Sequence, residues 1–347
     1  MTLPPLNAPP LDPTAIFEFF RGHYGSELLT AAVSHFHVFE HLAKGARSFE
    51  ALRGDLGLAE RPAVVLLTAL RAMGLLVTDA AGRLELTPLS RTFLAGSNFD
   101  ICGYIGLNAD TAGVLNMVER LRTNRPAGMK PEESGTAFIY REGVVSAMEK
   151  EAEARRLTLA LAGRARNVAP VLAERMPLGE ARMLLDVGGG TGLFSIAFLR
   201  KNPHLHAIVW DRPEVLKIAT ELATTHGVAD RLECRPGDMF VDAVPRADVV
   251  LLSNVLHDWD VPQCRELIAR CAAALPARGR LLIHDVFLND ALDGPLPIAL
   301  YSAALYCLTE GRAYSAAEYR GWLSAAGLTP GTPIATAIHC GVLPAEK

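Results

Sequence analysis

The chain has 347 residues, half of them hydrophobic and 21% charged, with a formal net charge of -4. This is the composition of an ordinary soluble globular protein with enough length for two cores. No block of five or more like charges asks for nucleic acid or an acidic membrane surface, and no apolar run reaches bilayer-spanning length.

The lead-in MTLPPLNAPPLDP is proline-rich and lacks the apolar segment of a signal peptide, so a flexible start is expected. From Asp12 to Phe99 the pattern is mostly helical. LLTAAVSHFHVFEHLA (28–43) carries a strong apolar face, SFEALRGDLGL offers a serine cap, and RPAVVLLTALRAMGLL (61–76) opens on Pro62. VTDAAGRLELT then reads as two short strands about a turn at Asp79 to Gly82. Helices followed by a small hairpin predict a winged-helix arrangement. The candidate recognition helix is apolar, flanked only by Arg61 and Arg71, which fits a dimer interface better than a DNA groove. His35, His37 and His41 lie together without acidic or cysteine partners, and no metal site is expected.

Residues from Ile101 to Met176 read as helical again, broken by TNRPAGMKPEESG. A long helix from Met148 to Met176 is expected, kinked near Pro170. From Ala181 strands and helices alternate: MLLDV, FSIAFLRKN, HAIVWD, VLKIATELATTHG, RLECRPGD, DVVLLSNVL, CRELIARCAAAL and GRLLIHDVFL, with a final pair around PIATAIH and GVLP. Such alternation predicts an α/β fold with a doubly wound parallel sheet whose ligands sit at the carboxyl ends of the strands. The domain boundaries expected are 12–105 for the winged-helix-like part and 106–347 for helical cover plus sheet. The six cysteines are scattered without a C-x-x-C pair, which suits reduced thiols and a cytoplasmic location.

LLDVGGGTG (184–192) is the centre of the functional reading: a buried strand ending at Asp186, then glycines at 188, 189, 190 and 192, then a helix. A dinucleotide fingerprint needs its third glycine at 193, which is Leu, so the turn suits a small nucleoside better than a pyrophosphate. Asp211 ends the next strand, nineteen residues after Gly192, where a carboxylate can accept hydrogen bonds from ribose hydroxyls. The alternative is a helix cap, since Arg212-Pro213 opens the next helix. The preceding Gly-rich turn favours ribose. Asp238 ends the third strand in GDMF, with Met239 and Phe240 placed to flank a base. A turn aspartate is the competing reading. After the fourth strand comes SNVLHDWD, where His257 falls at the ligand edge and titrates near neutrality, as a general base must. Asp285 ends the fifth strand on the same edge, as an imidazole partner or as a loop carboxylate. Asp258 is expected to point away from His257, Trp259 to pack, and His284 to face the side opposite Asp285.

LLDVGGGTG, WDRPEV, GDMF, NVLHDWD and GRLLIHDV occur in the order found in S-adenosylmethionine-dependent O-methyltransferases. The chain resembles the plant caffeate and hydroxyindole type and its bacterial relatives over nearly its whole length, including the winged-helix-like dimerisation domain. The resemblance implies a Rossmann-like methyltransferase sheet, a homodimer, and the cofactor S-adenosyl-L-methionine. It also implies an aromatic small-molecule acceptor, a general base at His257, and cofactor contacts at Gly188, Asp211, Asp238 and Met239. Asp186, Gly190, Phe240 and Ser253 complete the expected cofactor set. Three positions depart from the plant pattern. Asp285 replaces a glutamate, Ala313 stands where a second glutamate is usual, and Ser253 takes the place of a lysine. Phenolic O-methylation in secondary metabolism is the leading expectation. Methylation at carbon, a non-methylating cofactor binder and a cofactor-sensing winged-helix regulator are the alternatives. Asn108, Asn116, Met117, Met148, Tyr301 and Tyr306 are candidate acceptor-lining residues.

Overall fold

The computed structural model describes residues 6–125 and 151–347. Its contacts gather into two units, one bounded by Ile16–Thr136 and Leu288–Ser315, the other by Met1–Ala15, Ala137–Phe287 and Ala316–Lys347.

The first unit is helical. Its elements are α1 (Thr14–Arg21), α2 (Gly25–Ser34), α3 (Val38–Ala43), α4 (Phe49–Asp55), α5 (Glu60–Ala72), α6 (Pro88–Phe93), α7 (Cys102–Ile105) and α8 (Ala112–Thr123). Strands β1 (Leu76–Thr78) and β2 (Leu84–Leu86) form the expected hairpin, antiparallel with Leu76 opposite Leu86. The local signals act as read. Ser48 accepts from Ala51 N–H at the start of α4, Thr87 caps α6 ahead of Pro88, and Asp79 Oδ1 takes two backbone N–H groups of the hairpin turn. Helix α5 is apolar enough to be buried from Arg61 to Leu70, and with Leu28, Phe39, Leu42 and Leu121 it builds the core. Ile16, Phe19, Phe20, Phe99, Tyr104 and Leu107 stay exposed. The later helix α13 (Leu296–Leu308) belongs to this unit and contributes Ala303, Tyr306 and Cys307 to its core. A linear reading that cuts the chain at 105 assigns that helix elsewhere.

The second unit begins with α9 (Glu151–Arg175), one helix with Pro170 inside it. The start expected at Met148 lies outside the described residues. There follow β3 (Met183–Val187), α10 (Leu193–Lys201), β4 (His206–Asp211), α11 (Pro213–Thr225), β5 (Leu232–Pro236), β6 (Val249–Ser253), α12 (Val261–Ala274) and β7 (Arg280–Leu288). After β8 (Tyr314–Ser315) come α14 (Ala316–Ala325), β9 (Thr329–Pro330), β10 (Ile334–Ala335) and β11 (Cys340–Glu346). The main path of the sheet runs β10-β11-β7-β6-β3-β4-β5, with β3 to β7 parallel and β10 and β11 antiparallel. Continuous apolar runs such as VVLLS are buried throughout, as both faces of a parallel sheet require. Strand order reverses between β3 and β6, so the ligand crevice opens outside their carboxyl ends. Gly188 follows one of those ends and Asn254 the other. No helix among the described residues is long and apolar enough to cross a membrane.

Candidate active site

The turn after β3 is left-handed at Gly188 (φ 63°), Gly190 (φ 58°) and Gly192 (φ 68°), a conformation in which a side chain is strained. At Gly188 a Cβ would also meet Val255 Cγ2 at 3.0 Å. At Gly190 it would meet nothing within 4 Å, so the backbone there borders open space. Gly190 N–H donates to Asp211 Oδ2 at 2.8 Å, and Arg212 N–H donates to Asp211 Oδ1 at 2.7 Å. Asp211 thus ties the end of β4 to the glycine turn. A carboxylate has about four acceptor sites, so two bonds leave capacity for hydroxyl donors. Burial pushes its pKa up, against these two amides. The cap residue of α11 is Arg212, not Asp211.

Asp186 is wholly buried beneath this turn. Its Oδ2 accepts from Ser195 Oγ at 2.8 Å, and its Oδ1 has no partner among the described residues. Burial, then the nearby Asp211, pushes its pKa up to about 7 against the Ser195 hydrogen bond.

At the end of β5, Asp238 Oδ1 accepts from Phe240 N–H at 2.8 Å, closing an Asx turn. Arg270 of α12 donates from Nε to the carbonyl of Met239 at 2.9 Å. The rings of Phe240 and Trp259 meet edge to face at 4.7 Å between centroids, so Trp259 packs as expected.

His257 sits in a tight turn, Leu256–Asp258, just beyond β6. Its Nδ1 lies 2.6 Å from Asp285 Oδ1 on β7, with both side chains buried. Burial alone pulls the imidazole pKa down, but Asp285 and Asp258 outweigh it and hold the value above the ordinary histidine range. For Asp285 burial pushes upward, and His257 together with the Val286 N–H wins, keeping the carboxyl ionised. The ionised carboxylate accepts from Nδ1, which leaves Nε2 as the basic nitrogen. The expectation for Asp258 is corrected. Its Oδ1 lies 3.6 Å from His257 Nε2, because a 3-10 turn does not send adjacent side chains to opposite faces as a strand does. Burial raises the Asp258 pKa to about 6, against His257.

Ser253 Oγ lies inside the sheet, 2.9 Å from His284 Nδ1 and 3.1 Å from Asn254 Nδ2. His284 meets Ser253 on the face away from Asp285, and burial, then Arg164, pushes its pKa down to about 3, so it is neutral. Of the candidate lining residues, Met117 and Tyr306 belong to the helical core, with Tyr306 donating to Arg120 O at 2.5 Å. Arg21 stacks on Tyr301, Asn108 and Asn116 are exposed, and Met148 lies outside the described residues. Ala313 is buried in the helical unit, its N–H donating to Ser302 Oγ at 3.1 Å. Sequence reasoning missed Ser195, Arg270 and Arg164. Each is one unremarked residue on a helix, and only the fold brings it beside the strand ends or the loops that follow them. Among the described residues no cluster of histidine, cysteine and carboxylate side chains is arranged to hold a metal.

A glycine turn tied to a strand-end carboxylate, with a carboxylate-held imidazole across the switch point, marks a candidate ligand site with a candidate base at the carboxyl edge of a doubly wound sheet. Comparison with known proteins supplies the class. The chain matches the O-methyltransferase domain over residues 136–329 and the O-methyltransferase dimerisation domain over residues 17–96, and it belongs to this S-adenosylmethionine-dependent family. It is 48% identical to an O-methyltransferase family 2 protein from Planctomyces limnophilus, solved in complex with apigenin, with a TM-score of 0.90 and full coverage of both chains. It is 35% identical to 3-hydroxy-5-methyl-1-naphthoate 3-O-methyltransferase of Streptomyces sahachiroi, over 91% of this chain and 89% of that protein. It is 28% identical to L-tyrosine C(3)-methyltransferase of Streptomyces lavendulae, over 95% of this chain and 90% of that protein. The cofactor is S-adenosyl-L-methionine. The left-handed glycines, the open space at Gly190 and the spare acceptor capacity of Asp211 fit it.

Proposed function

We propose that this enzyme transfers a methyl group to a phenolic oxygen of an aromatic small molecule, with His257 as general base. The observation that carries the reading is the 2.6 Å contact between His257 Nδ1 and Asp285 Oδ1. When bound, the cofactor supplies a sulfonium methyl that is already electrophilic. The protein has to hold the acceptor oxygen in line and remove its proton. In-line positioning contributes ~7–11 kcal/mol and a placed base ~10²–10⁴-fold. His257 Nε2 takes the phenolic proton, Asp285 fixes the tautomer, and both carboxylates favour the resulting imidazolium. Gly188, Gly190, Asp186 and Ser253 form the cradle floor of the cofactor site, Asp211 accepts from the ribose, and Asp238, Met239 and Phe240 border the adenine. The naphthoate acceptor named for the Streptomyces sahachiroi relative and the apigenin bound by the Planctomyces limnophilus protein support an aromatic phenol, and the reading extends to secondary metabolism. The dimerisation-domain match and the exposed Phe19, Phe20, Tyr104 and Leu107 support a homodimer, measurable by light scattering.

Transfer to a ring carbon is the second reading. It draws support from Ala313, where the family often carries a glutamate, and from the C(3)-methylating relative. Incubation with methyl-labelled cofactor and a phenol panel separates the two: ether-bound label is the expected product. Label found only on ring carbon sinks the leading reading, and no transfer despite tight cofactor binding sinks both.

A further inference from the structure

A cation on α9 holds the residue that leads from β6 into the turn carrying His257. Arg164, on α9, donates from Nη2 to Asn254 Oδ1, and the same nitrogen lies 3.5 Å from Cys340 Sγ on β11. Asn254 is left-handed (φ 56°), a region uncommon for a residue with a side chain but one that asparagine enters when its amide is hydrogen-bonded locally. Its N–H donates to His284 O at 2.8 Å and its Nδ2 to Ser253 Oγ at 3.1 Å. Ser253 Oγ meets His284 Nδ1, and His284 Nε2 meets Thr336 Oγ1 at 3.1 Å. A continuous polar chain therefore runs from α9 through the end of β6 to β7 and Thr336. His257 stands three residues beyond Asn254.

We propose that Arg164 is a positioning residue of the active site: it grips Asn254 in the left-handed turn that presents His257, and its positive charge opposes the proton that His257 must be free to accept. The proposal rests on the reading of His257 as the base. Among the described residues, the charges that act on His257 include Asp285 on β7 and Asp258 on its own turn, each within 4 Å of a ring nitrogen, and Arg164 on α9, which holds Asn254 three residues before it. The two carboxylates favour a protonated imidazole, which is inert as a base. Arg164 is the one charge among these that acts the other way, and it also favours the ionised forms of Asp258 and Asp285. Arginine suits both tasks, since its charge is permanent and its planar fork holds an amide oxygen in a fixed direction, as a lysine does not.

The test is a histidine Cε1–H NMR titration of the intact protein, with H257Q assigning the signal, run beside kcat for R164Q, R164K and N254G. In R164Q the His257 midpoint moves to higher pH and kcat at neutral pH falls. In R164K, which keeps the charge and loses the fork, the midpoint stays and kcat falls roughly 10- to 100-fold, as displaced catalytic groups do. N254G keeps the left-handed turn and removes the acceptor, so it behaves as R164K does and serves where R164Q does not fold. An unmoved midpoint in R164Q overturns the electrostatic part, and wild-type kcat in R164K or N254G overturns the grip. The midpoint is read without methyl transfer, so an active H257A would sink the base reading and leave this measurement standing.

Discussion

His257, in the turn beyond β6, and Asp285, within the neighbouring parallel strand β7, meet at 2.6 Å with both side chains buried. The contact couples two groups whose pKa values move apart: the imidazole is held above its ordinary range and the carboxyl below it. Among the described residues Asp285 Oδ2 has no hydrogen-bond partner, while Oδ1 accepts from the Val286 N–H and holds His257. Replacing His257 by alanine is expected to leave cofactor Kd unchanged and to lower kcat on a neutral phenol by ~10²–10⁴-fold. Calorimetry for the first and a labelled-methyl assay for the second check it. Undiminished turnover removes His257 as the base. D285N keeps the shape and loses the charge, so it lowers kcat and moves the His257 titration to lower pH.

The pH dependence has a definite sign. Only neutral His257 accepts a proton, and its folded pKa is raised, so kcat/KM on a neutral phenol climbs as pH rises through a value above 6.5. Asp258 is one of the causes of that rise, which makes D258N informative. Removing its charge shifts the acid limb to lower pH. A limb that stays in place in D258N shows that the 3.6 Å approach to Nε2 does not govern the base.

Much of this site was legible before the fold was known, because strand ends can be read from hydrophobic runs. Asp211 ends β4, Asp186 stands one residue before the end of β3 and Asp238 two residues after β5, while Asp285, expected to end its strand, lies inside β7, which runs on to Leu288. The hairpin at Asp79 and the cap at Ser48 were legible for a like reason, since their chemistry is local. Three features were not. Asp258 follows His257 directly, and only the 3-10 turn brings their side chains to one side. Arg164 is ninety residues from Asn254 and no different in sequence from Arg166 or Arg156. Helix α13 follows β7 in the chain yet builds the core of the helical unit, a long-range packing that periodicity does not encode.

The glycine cradle yields a graded expectation. G188A forces a side chain into a left-handed position, about 1–2 kcal/mol, and against Val255 at 3.0 Å, so it lowers thermal stability as well as cofactor affinity. G190A carries the same backbone cost but meets nothing within 4 Å among the described residues, so its added methyl enters the open space proposed for the cofactor. The prediction is a larger rise in cofactor Kd per degree of Tm lost for G190A than for G188A, read by calorimetry and thermal shift. Equal ratios argue against a cofactor at Gly190. D211A, which frees the Gly190 and Arg212 amides, raises Kd as well; an unaltered Kd removes Asp211 from the site.

Asp186 offers a stability test that needs no substrate. Its carboxyl is buried, has one oxygen without a partner among the described residues, and has a folded pKa near 7 against 3.8 in the unfolded chain. A raised folded pKa means that the favourable contribution of the protonated form is fully present below 3.8. It is lost progressively as pH rises toward 7, where the buried group must ionise. Asparagine has the same shape, keeps an oxygen for Ser195 Oγ and cannot ionise. The Tm difference between D186N and the wild type, with no cofactor added, is therefore expected to move in favour of the variant between pH 5 and pH 8, whatever its sign at pH 5. The opposite trend, or a difference that ignores pH, shows that Asp186 is ionised throughout and that something other than Ser195 holds its charge.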